Sequence, residues 1–334
     1  MGGSSWSDDH YTTKASLRAA TKKPVFDYDH KVKAAVARGD HGALKVHDKL
    51  NPKGVIRESR DSDAHPESNS IMVLFDVTGS MGVVPVTMQT KLPQLMGLLL
   101  RKSYIPHPQI LFGAIGDATI DRVPLQIGQF ESGIEMDEDI TNFVLEGGGG
   151  GQRTESYELG MYFAAHRTAC DCYEKRGKKG YLFLIGDEKP YPSANRRELE
   201  EVLGVKVEAN IPIQELAKQV AEKWEVFFIV PNQTSYFHEP WLMETWREIV
   251  GPERFLKLDD PNAVCELIGA TIGACEGAEI GRIADDLASV GTSTAIVKAV
   301  TDAIAPVANG AITKTGTATG LPAPSSSAST NARI

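Results

Sequence analysis

The sequence predicts an α/β fold, in which a doubly wound, mostly parallel sheet is flanked by helices on both faces. From Ile71 onward, short apolar runs bounded by turn residues alternate with longer segments at helical spacing. Several of these runs lack polar alternation, as strands buried on both faces do. Parallel strands also need crossover connections, which are usually helices, so the alternation indicates a parallel sheet.

The predicted elements follow from these runs in chain order. The strands are expected at residues 71–75, 110–115, 181–185, 226–230 and 255–258, with a weaker one at 123–127. Residues 92–99 and 159–166 place apolar side chains on one helical face, and segments 213–224, 239–250 and 261–272 are amphipathic. In such folds ligands bind at the carboxyl ends of the strands.

Composition divides the chain into four parts. Residues 1–69 are polar and turn-rich, and we expect an N-terminal extension that drapes over the core or binds a partner. Residues 70–272 hold the strand and helix pattern, and 273–308 form a helical extension with an amphipathic helix near 295–304. Residues 309–334 are small, polar and Pro-containing, and cannot bury enough apolar area to offset their entropy, so they are predicted to be a disordered tail.

Charge and cysteine usage exclude several classes of protein. A formal net charge of -9 argues against a nucleic-acid binder, which relies on clustered Lys and Arg. The four cysteines form neither a CxxC pair nor a disulfide framework, which favours a reducing cytoplasm. No signal peptide is visible and no apolar run approaches the roughly 20 residues that cross a bilayer, so we expect a cytoplasmic protein without a membrane partner.

Oxygen-bearing side chains follow two predicted strands and a glycine-rich loop. In IMVLFDVTGSMG an apolar strand ends at Asp76 and is followed by Thr78 and Ser80. In GGGGGQRTES a glycine run leads to Thr154 at the start of a predicted helix, and in YLFLIGDE a second buried strand ends before Asp187. Strand ends of this fold face one crevice, so the side chains are expected to converge as hard oxygen donors.

These segments resemble the metal ion-dependent adhesion site (MIDAS) of von Willebrand factor A (vWA) domains, which pairs a DxSxS loop with a later Thr and a later Asp. The resemblance covers residues 70–272 and implies a vWA/Rossmann-like fold with Mg²⁺, or Mn²⁺, as the ion. By this resemblance the metal ligands are Asp76, Thr78, Ser80, Thr154 and Asp187.

Two positions depart from the family pattern. Thr78 stands where the family usually has Ser, which keeps the hydroxyl and adds a methyl group. Glu188 follows Asp187 where Gly is common, which brings an extra carboxylate near the metal. Asp117, just beyond the second strand, is expected outside the set of direct ligands.

The resemblance implies a metal-dependent protein–protein interaction module and not an enzyme. Neutral hydroxyls supply much of the coordination, so the ion is expected to keep positive charge and an open position for an Asp or Glu of a partner. Relatives inside bacterial cells or phages suggest an adaptor that works with a MoxR-like AAA+ ATPase. The alternative is a structural or assembly component of a phage-like particle.

Other interpretations of the same residues remain open. Singly, Asp76 to Ser80 could be a strand-to-helix turn, and Thr154 a helix N-cap with Glu155 favouring the helix dipole. A metal-dependent hydrolase is the lesser functional alternative. A phosphatase of the haloacid dehalogenase type needs a second Asp at the position of Thr78. A serine hydrolase needs a GxSxG motif, and TGSMG lacks its first glycine; a nucleotide-binding P-loop needs Gly-Lys-Ser/Thr after its glycines, and the glycine run lacks these residues. A zinc site at His166, Cys170 and Cys172 lacks a fourth ligand.

Overall fold

The strands lie where the chain is most continuously apolar, because both of their faces are covered. The computed structural model describes residues 5–81, 84–147 and 153–314, without the side chains of Ser80 and of 311–314. In this part of the chain the strands are β1 Arg57–Ser59, β2 Asn69–Asp76, β3 Pro108–Ile115, β4 Leu125–Ile127, β5 Thr154–Glu155, β6 Thr168–Cys170, β7 Gly180–Ile185, β8 Lys189–Pro190, β9 Ser193–Ala194, β10 Ile211–Pro212, β11 Trp224–Pro231 and β12 Phe255–Leu258.

Helices connect the strands and extend the chain at both ends. They are α1 Asp8–Thr21, α2 Asp27–Ala37, α3 Val84–Thr90, α4 Leu92–Met96, α5 Glu135–Thr141, α6 Tyr157–His166, α7 Asp171–Arg176, α8 Arg196–Glu198, α9 Ile213–Lys223, α10 Pro240–Val250, α11 Val264–Cys275, α12 Ile280–Ser289 and α13 Thr294–Lys314. Two helices continue as π-helical turns, α4 through Gly97–Arg101 and α8 through Leu199–Leu203.

A six-stranded sheet forms the centre, with the order β12-β11-β7-β2-β3-β4. All neighbours are parallel except β4, which runs antiparallel to β3 at the edge. Phe75 pairs with Ala114 on one side and with Ile185 on the other, so β2 is central. The predicted fold class, a doubly wound and mostly parallel α/β sheet of the vWA/Rossmann-like type, is confirmed. The weak run at 123–127 forms the antiparallel strand.

Alternate residues of the central strands enter two different cores. Val73 and Phe75 pack in the core that includes residues of α4, α11 and α13. Met72 and Leu74 pack in the opposite core, with residues of α6, α9 and α10. Because both faces of β2 are buried, its side chains show no polar alternation.

The N-terminal residues pack on this α/β unit through α1, α2 and β1. Tyr11 of α1 is buried, and its hydroxyl donates to the carbonyl oxygen of Gln89 at 2.8 Å. Arg18 forms an ion pair at 2.5 Å with Asp137 of α5, whose side chain is buried. β1 pairs in parallel with β6 in a separate two-stranded sheet.

The C-terminal helix is longer than the sequence predicts. Helix α13 runs Thr294–Lys314, so residues 309–314 are helical where composition predicts a disordered tail. The helix continues because Val300, Ile304 and Val307 are buried in the core and hold its apolar face there. The rest of the predicted tail, 315–334, lies outside the described residues. None of the described helices is both long enough and apolar enough to cross a membrane.

Candidate metal centre

Three aspartates follow three neighbouring strands of the sheet. Asp76 is the last residue of β2, Asp117 comes two residues after β3, and Asp187 comes two residues after β7. Since the strands are parallel, these positions share the carboxyl edge of the sheet. All three side chains are buried. The expectation that the strand ends bring acidic side chains to one edge agrees with this placement.

Hydrogen bonds from Thr78 and Tyr157 orient the carboxylate of Asp76. The backbone N–H of Thr78 donates to its Oδ1 at 2.6 Å, and the hydroxyl of Tyr157 donates to its Oδ2 at 3.4 Å. Tyr157 reaches Asp76 only because residue 186 is glycine, since a Cβ on Gly186 would lie 1.7 Å from the tyrosine oxygen. The aspartate is therefore oriented by the turn that follows it and by the first residue of α6.

The closest gathering of acids consists of Asp76, Glu155 and Glu188. One carboxylate oxygen from each lies within 4.8 Å of the other two. Glu155 belongs to β5, which pairs in parallel with β8, the strand that begins immediately after Glu188. The carbonyl oxygen of Glu188 accepts from the indole N–H of Trp246 at 2.8 Å, which fixes the loop after β7. We call these three residues the three-acid cluster.

Burial and mutual repulsion disfavour the charged forms of the cluster. Burial raises the pKa of Asp76 to about 8, with Asp187 and Glu188 adding repulsion against the hydrogen bonds from Thr78. Burial, Asp76 and Glu188 together raise the pKa of Glu155 to about 11. The pKa of Glu188 is raised as well, first by burial. No Lys, Arg or His among the described residues forms an ion pair with the cluster, so a bound cation would relieve this repulsion.

The donor set fits a divalent cation. The Oε2 atom of Glu155 is buried and has no hydrogen-bond partner among the described residues, and the side chain as a whole is only 2% exposed. Opposite oxygens around Mg²⁺ or Ca²⁺ lie about 4 to 5 Å apart, which matches the spread of the cluster. Carboxylate oxygens without thiol or imidazole favour Mg²⁺, Mn²⁺ or Ca²⁺ over softer ions.

The sequence-predicted ligands occupy different places relative to this cluster. Asp76 belongs to it, and the buried Thr78 lies beside it through its hydrogen bond to Asp76. Asp187 is buried at the same edge, where its Oδ2 accepts from the backbone N–H of Tyr236 at 3.3 Å. The side chain of Ser80 lies outside the described part of the chain. These assignments as ligands remain predictions.

Thr154 differs most from its expected surroundings. It lies in β5 and is not at the start of a helix, because α6 begins at Tyr157 with Ser156 as its N-cap residue. Its side chain hydrogen bonds to Tyr191, whose hydroxyl also donates to Asp117 at 3.0 Å. Reading Thr154 as a helix cap is therefore wrong.

Sequence reasoning missed Glu155 as a member of the site. From the sequence it is considered only in the alternative in which it favours the helix dipole, yet it is buried in β5 and contributes an oxygen to the cluster. The available signal was its position directly after Thr154 and before a strongly apolar helix, where a solvated acid would be hard to place.

The alternative zinc ligands do not come together. His166 hydrogen bonds to Gln219 at 2.8 Å, while Cys172 lies 3.2 Å from the hydroxyl of Ser70. Cys170 is buried in β6. The three-acid cluster is the one group of three or more candidate ligands found within the described residues.

Comparisons with known proteins find likeness at the level of solved structures alone. No family model matches the chain, and no curated protein matches it. The open conformation of the pilus adhesin SpaC from Lactobacillus rhamnosus GG is similar with a TM-score of 0.44 and 10% identity, over 66% of this chain and 31% of that one. Proximal thread matrix protein 1 from the mussel byssus, with a zinc-occupied MIDAS motif, is similar with a TM-score of 0.40 and 14% identity, over 61% of this chain and 47% of that one. The match thus spans less than half the length of either protein, and the fold class rests on the strand order.

Proposed function

We propose that this chain is a vWA-like module that binds a protein partner through a divalent metal ion. The observation that carries the proposal is the three-acid cluster, in which the buried Asp76 and Glu155 and the partly buried Glu188 come from three separate segments and form no ion pair with described residues. Charged acids placed this way repel one another, and a cation that joins them lowers the free energy of the protein. The unpartnered Oε2 of Glu155 supports a ligand at this point.

In this proposal Asp76, Glu155 and Glu188 hold the ion, with Thr78, Ser80, Thr154 and Asp187 as the further oxygen donors that the MIDAS resemblance names. A bound Mg²⁺ or Mn²⁺ would supply positive charge and an exchangeable coordination position at the edge of the sheet. The protein supplies the orientation, since Thr78 and Tyr157 fix Asp76 while the β5–β8 pair fixes the two glutamates.

The partner is proposed to contribute an Asp or Glu carboxylate to the ion. We propose binding over catalysis because the resemblance is to a site whose open metal position takes the carboxylate of a partner. A MoxR-like AAA+ ATPase is the partner suggested by the family resemblance, with this chain as a cytoplasmic adaptor. This assignment rests on analogy with relatives.

The proposal is tested by capture of partners on the immobilised full chain. Lysate of the native host is applied in Mg²⁺ and in EDTA to the wild type, to Asp76→Ala and to Asp171→Asn. Asp171 is also a buried acid, but it is paired with Arg60 at 2.9 Å and lies outside the cluster, so it is the matched control.

We expect one protein to be recovered in Mg²⁺ by the wild type and by Asp171→Asn, and to be lost in EDTA or with Asp76→Ala. A single acidic residue of the recovered protein should account for most of its affinity, because it makes a direct bond to the ion. Capture that persists undiminished in EDTA and in Asp76→Ala would contradict the proposal.

A further inference from the structure

The charge of the proposed metal centre is the starting point. The three carboxylates of the cluster, the carboxylate of Asp187 that is proposed as a further donor, and one divalent ion sum to a formal charge of −2. The sequence led us to expect a centre dominated by neutral hydroxyls, which would keep excess positive charge. With these acids around it, the ion alone does not make this edge attractive to a partner's carboxylate, because like charges repel most strongly where water is excluded.

Two cationic residues adjoin the cluster along the chain. Lys189 directly follows Glu188, and Arg153 stands two residues before Glu155. The backbone N–H of Lys189 donates to the carbonyl oxygen of Arg153 at 3.2 Å, so the two residues are neighbours in space. We call Arg153 and Lys189 the cationic rim.

Aromatic rings hold the cationic rim in place. The guanidinium of Arg153 lies 5.7 Å from the ring centre of Tyr236 and 5.8 Å from that of Trp241. The ammonium of Lys189 lies 5.0 Å from the same tryptophan ring. A ring attracts a cation without neutralising it or accepting all of its hydrogen bonds.

The rim has no acidic partner of its own in the described part of the chain. Neither Arg153 nor Lys189 forms an ion pair there, although Arg153 is exposed and Lys189 is half-buried. Some cations elsewhere in the protein are paired, such as Arg60 with Asp171 and Lys91 with Glu266. An ordered, unpaired pair of cations beside a ligand site is suited to a negatively charged group.

We propose that the cationic rim binds a second carboxylate of the partner, next to the carboxylate that reaches the metal. The proposal rests on the metal-dependent function above and specifies its partner as a protein segment with two nearby acidic residues. Arg153 and Lys189 add a formal charge of +2, which brings the sum for the centre and its rim to zero. The rim, and not the ion among its carboxylates, then supplies the positive charge that an acidic segment meets.

Two synthetic peptides test the proposal on the full chain. One is the fluorine-labelled, end-blocked peptide Gly-Glu-Gly-Glu-Gly, and the other has Gln in place of its second Glu. Binding in Mg²⁺ is measured by fluorine NMR, and the Mg²⁺ affinity of each protein variant is measured separately by calorimetry. We expect the diacidic peptide to bind about fivefold more tightly than the monoacidic one, as two partly solvated charge pairs would give.

The double variant Arg153→Gln/Lys189→Gln should lose this preference while binding Mg²⁺ at least as tightly as the wild type. Removing two cations near the ion lowers repulsion, so the two affinities move in different directions, which a loss of folding could not produce. Arg247→Gln is the matched control, because its guanidinium lies 5.5 Å from the ring of Phe255 at the amino end of β12. It should change neither affinity.

The outcomes separate this inference from the proposed function. A wild type that binds Mg²⁺ but shows no preference for the second acid, or no binding of either peptide, overturns the rim proposal. A double variant that keeps the fivefold preference overturns it as well. Peptide binding that is equal in Mg²⁺ and EDTA would instead overturn the metal-dependent function.

Discussion

Among the described residues, acidic side chains cluster at both edges of the central sheet, but they are paired with cations at one edge and not at the other. At the carboxyl edge, Asp76, Glu155 and Glu188 face one another without a cationic partner among the described residues. Near the amino edge, Asp61 and Asp171 lie among three cations, Arg60, Lys175 and Arg176.

At the amino edge the acidic side chains have cationic or hydrogen-bonding partners. Asp61 accepts hydrogen bonds from Arg176 at 2.8 Å and from the backbone N–H of Ser68 at 3.0 Å. Lys175 approaches Asp171 at 2.7 Å. Burial alone would raise the pKa of Asp61, but hydrogen bonds from Arg176, Ser68 and Lys175 outweigh it and hold the pKa far below the usual range.

The contrast shows that unpaired burial, and not the number of acids, distinguishes a ligand site from a structural network. The same residue types have lowered pKa values where cations surround them, and raised pKa values where burial acts first and other acids add to it. The amino edge stabilises the fold as it stands. We propose that the carboxyl edge is stabilised when a cation binds.

The largest expected effect concerns the amino edge. Asp61→Ala should lower the free energy of unfolding by about 2 kcal/mol, because it leaves Arg176 and the N–H of Ser68 without their acceptor. Guanidinium chloride denaturation measures the change. The exposed Asp63 two residues away provides the control, and Asp63→Ala should cost little. An equal loss of unfolding free energy in Asp61→Ala and Asp63→Ala would show that the hydrogen bonds of Asp61 do not stabilise the fold.

Acid sensitivity should follow from the same network. Since the folded-state pKa values of Asp61 and Asp171 lie below their unfolded values, these residues contribute stability above about pH 4 that is lost as the pH falls through the folded values. The free energy of unfolding, measured from pH 7 to pH 3, should fall more steeply in the wild type than in Asp61→Asn. Parallel curves would show that Asp61 is not linked to folding.

The carboxyl edge should respond with the opposite sign. In EDTA, Glu155→Gln should raise the free energy of unfolding by about 1 kcal/mol, because the buried acid must take up a proton to fold at neutral pH, whereas the amide is always neutral. Urea denaturation in EDTA measures it. A loss of stability comparable to that of Asp61→Ala would mean that Glu155 is a structural acid like those of the amino edge.

A smaller effect, on the affinity for Mg²⁺, is expected from Asp29, which joins helix α2 of the N-terminal segment to the loop near the three-acid cluster. Asp29 of α2 is buried, and its Oδ1 accepts from the backbone N–H of Leu145 at 3.0 Å. Gly147, two residues after Leu145, has its carbonyl oxygen 3.5 Å from the position that a Cβ on Gly79 would take. The hydrogen bond between Asp29 and Leu145 therefore lies close to the turn that follows Asp76. Asp29→Ala should weaken Mg²⁺ binding about threefold, as loss of one hydrogen bond allows.

Calorimetric titration of Mg²⁺ measures that change, and two variants sharpen it. Asp29→Asn keeps an acceptor oxygen and should restore most of the affinity. Asp27→Ala removes an acid of the same helix that pairs with the exposed Lys31 and should leave the affinity unchanged. If Asp29→Ala and Asp27→Ala bind Mg²⁺ equally, the N-terminal segment does not help to position the site.

The sheet could be predicted because its signal is local and strong. Uninterrupted apolar runs locate β2, β3, β7, β11 and β12 to within two residues at each end, since burial on both faces removes polar alternation. The positions of Asp76 and Asp187 could be predicted from these strands, because the ends of adjacent parallel strands share one edge of the sheet. The short pair β1–β6 could not be predicted, since it joins segments about 110 residues apart and contains three residues from each.

The composition of the candidate site was harder to predict than its position. Glu188 was expected near the site because it directly follows Asp187, but Glu155 is brought to the site through the β5–β8 pair, a non-local contact of two residues per strand that leaves no periodic pattern. The end of α13 was misjudged for a related reason. Its small residues resemble a disordered segment, yet docking of Val300 and Ile304 on the core carries the helix onward to Lys314.

The central claim is that the carboxyl edge binds a divalent cation through Asp76, and metal-induced stabilisation tests it most directly. The free energy of unfolding of the full chain is measured with increasing Mg²⁺ or Mn²⁺ for the wild type, Asp76→Ala and the amino-edge control Asp171→Asn. At a metal concentration about 100 times the Kd, the wild type and Asp171→Asn should each gain roughly 2.7 kcal/mol, while Asp76→Ala gains nothing. A gain in Asp76→Ala equal to that of the wild type would contradict the account.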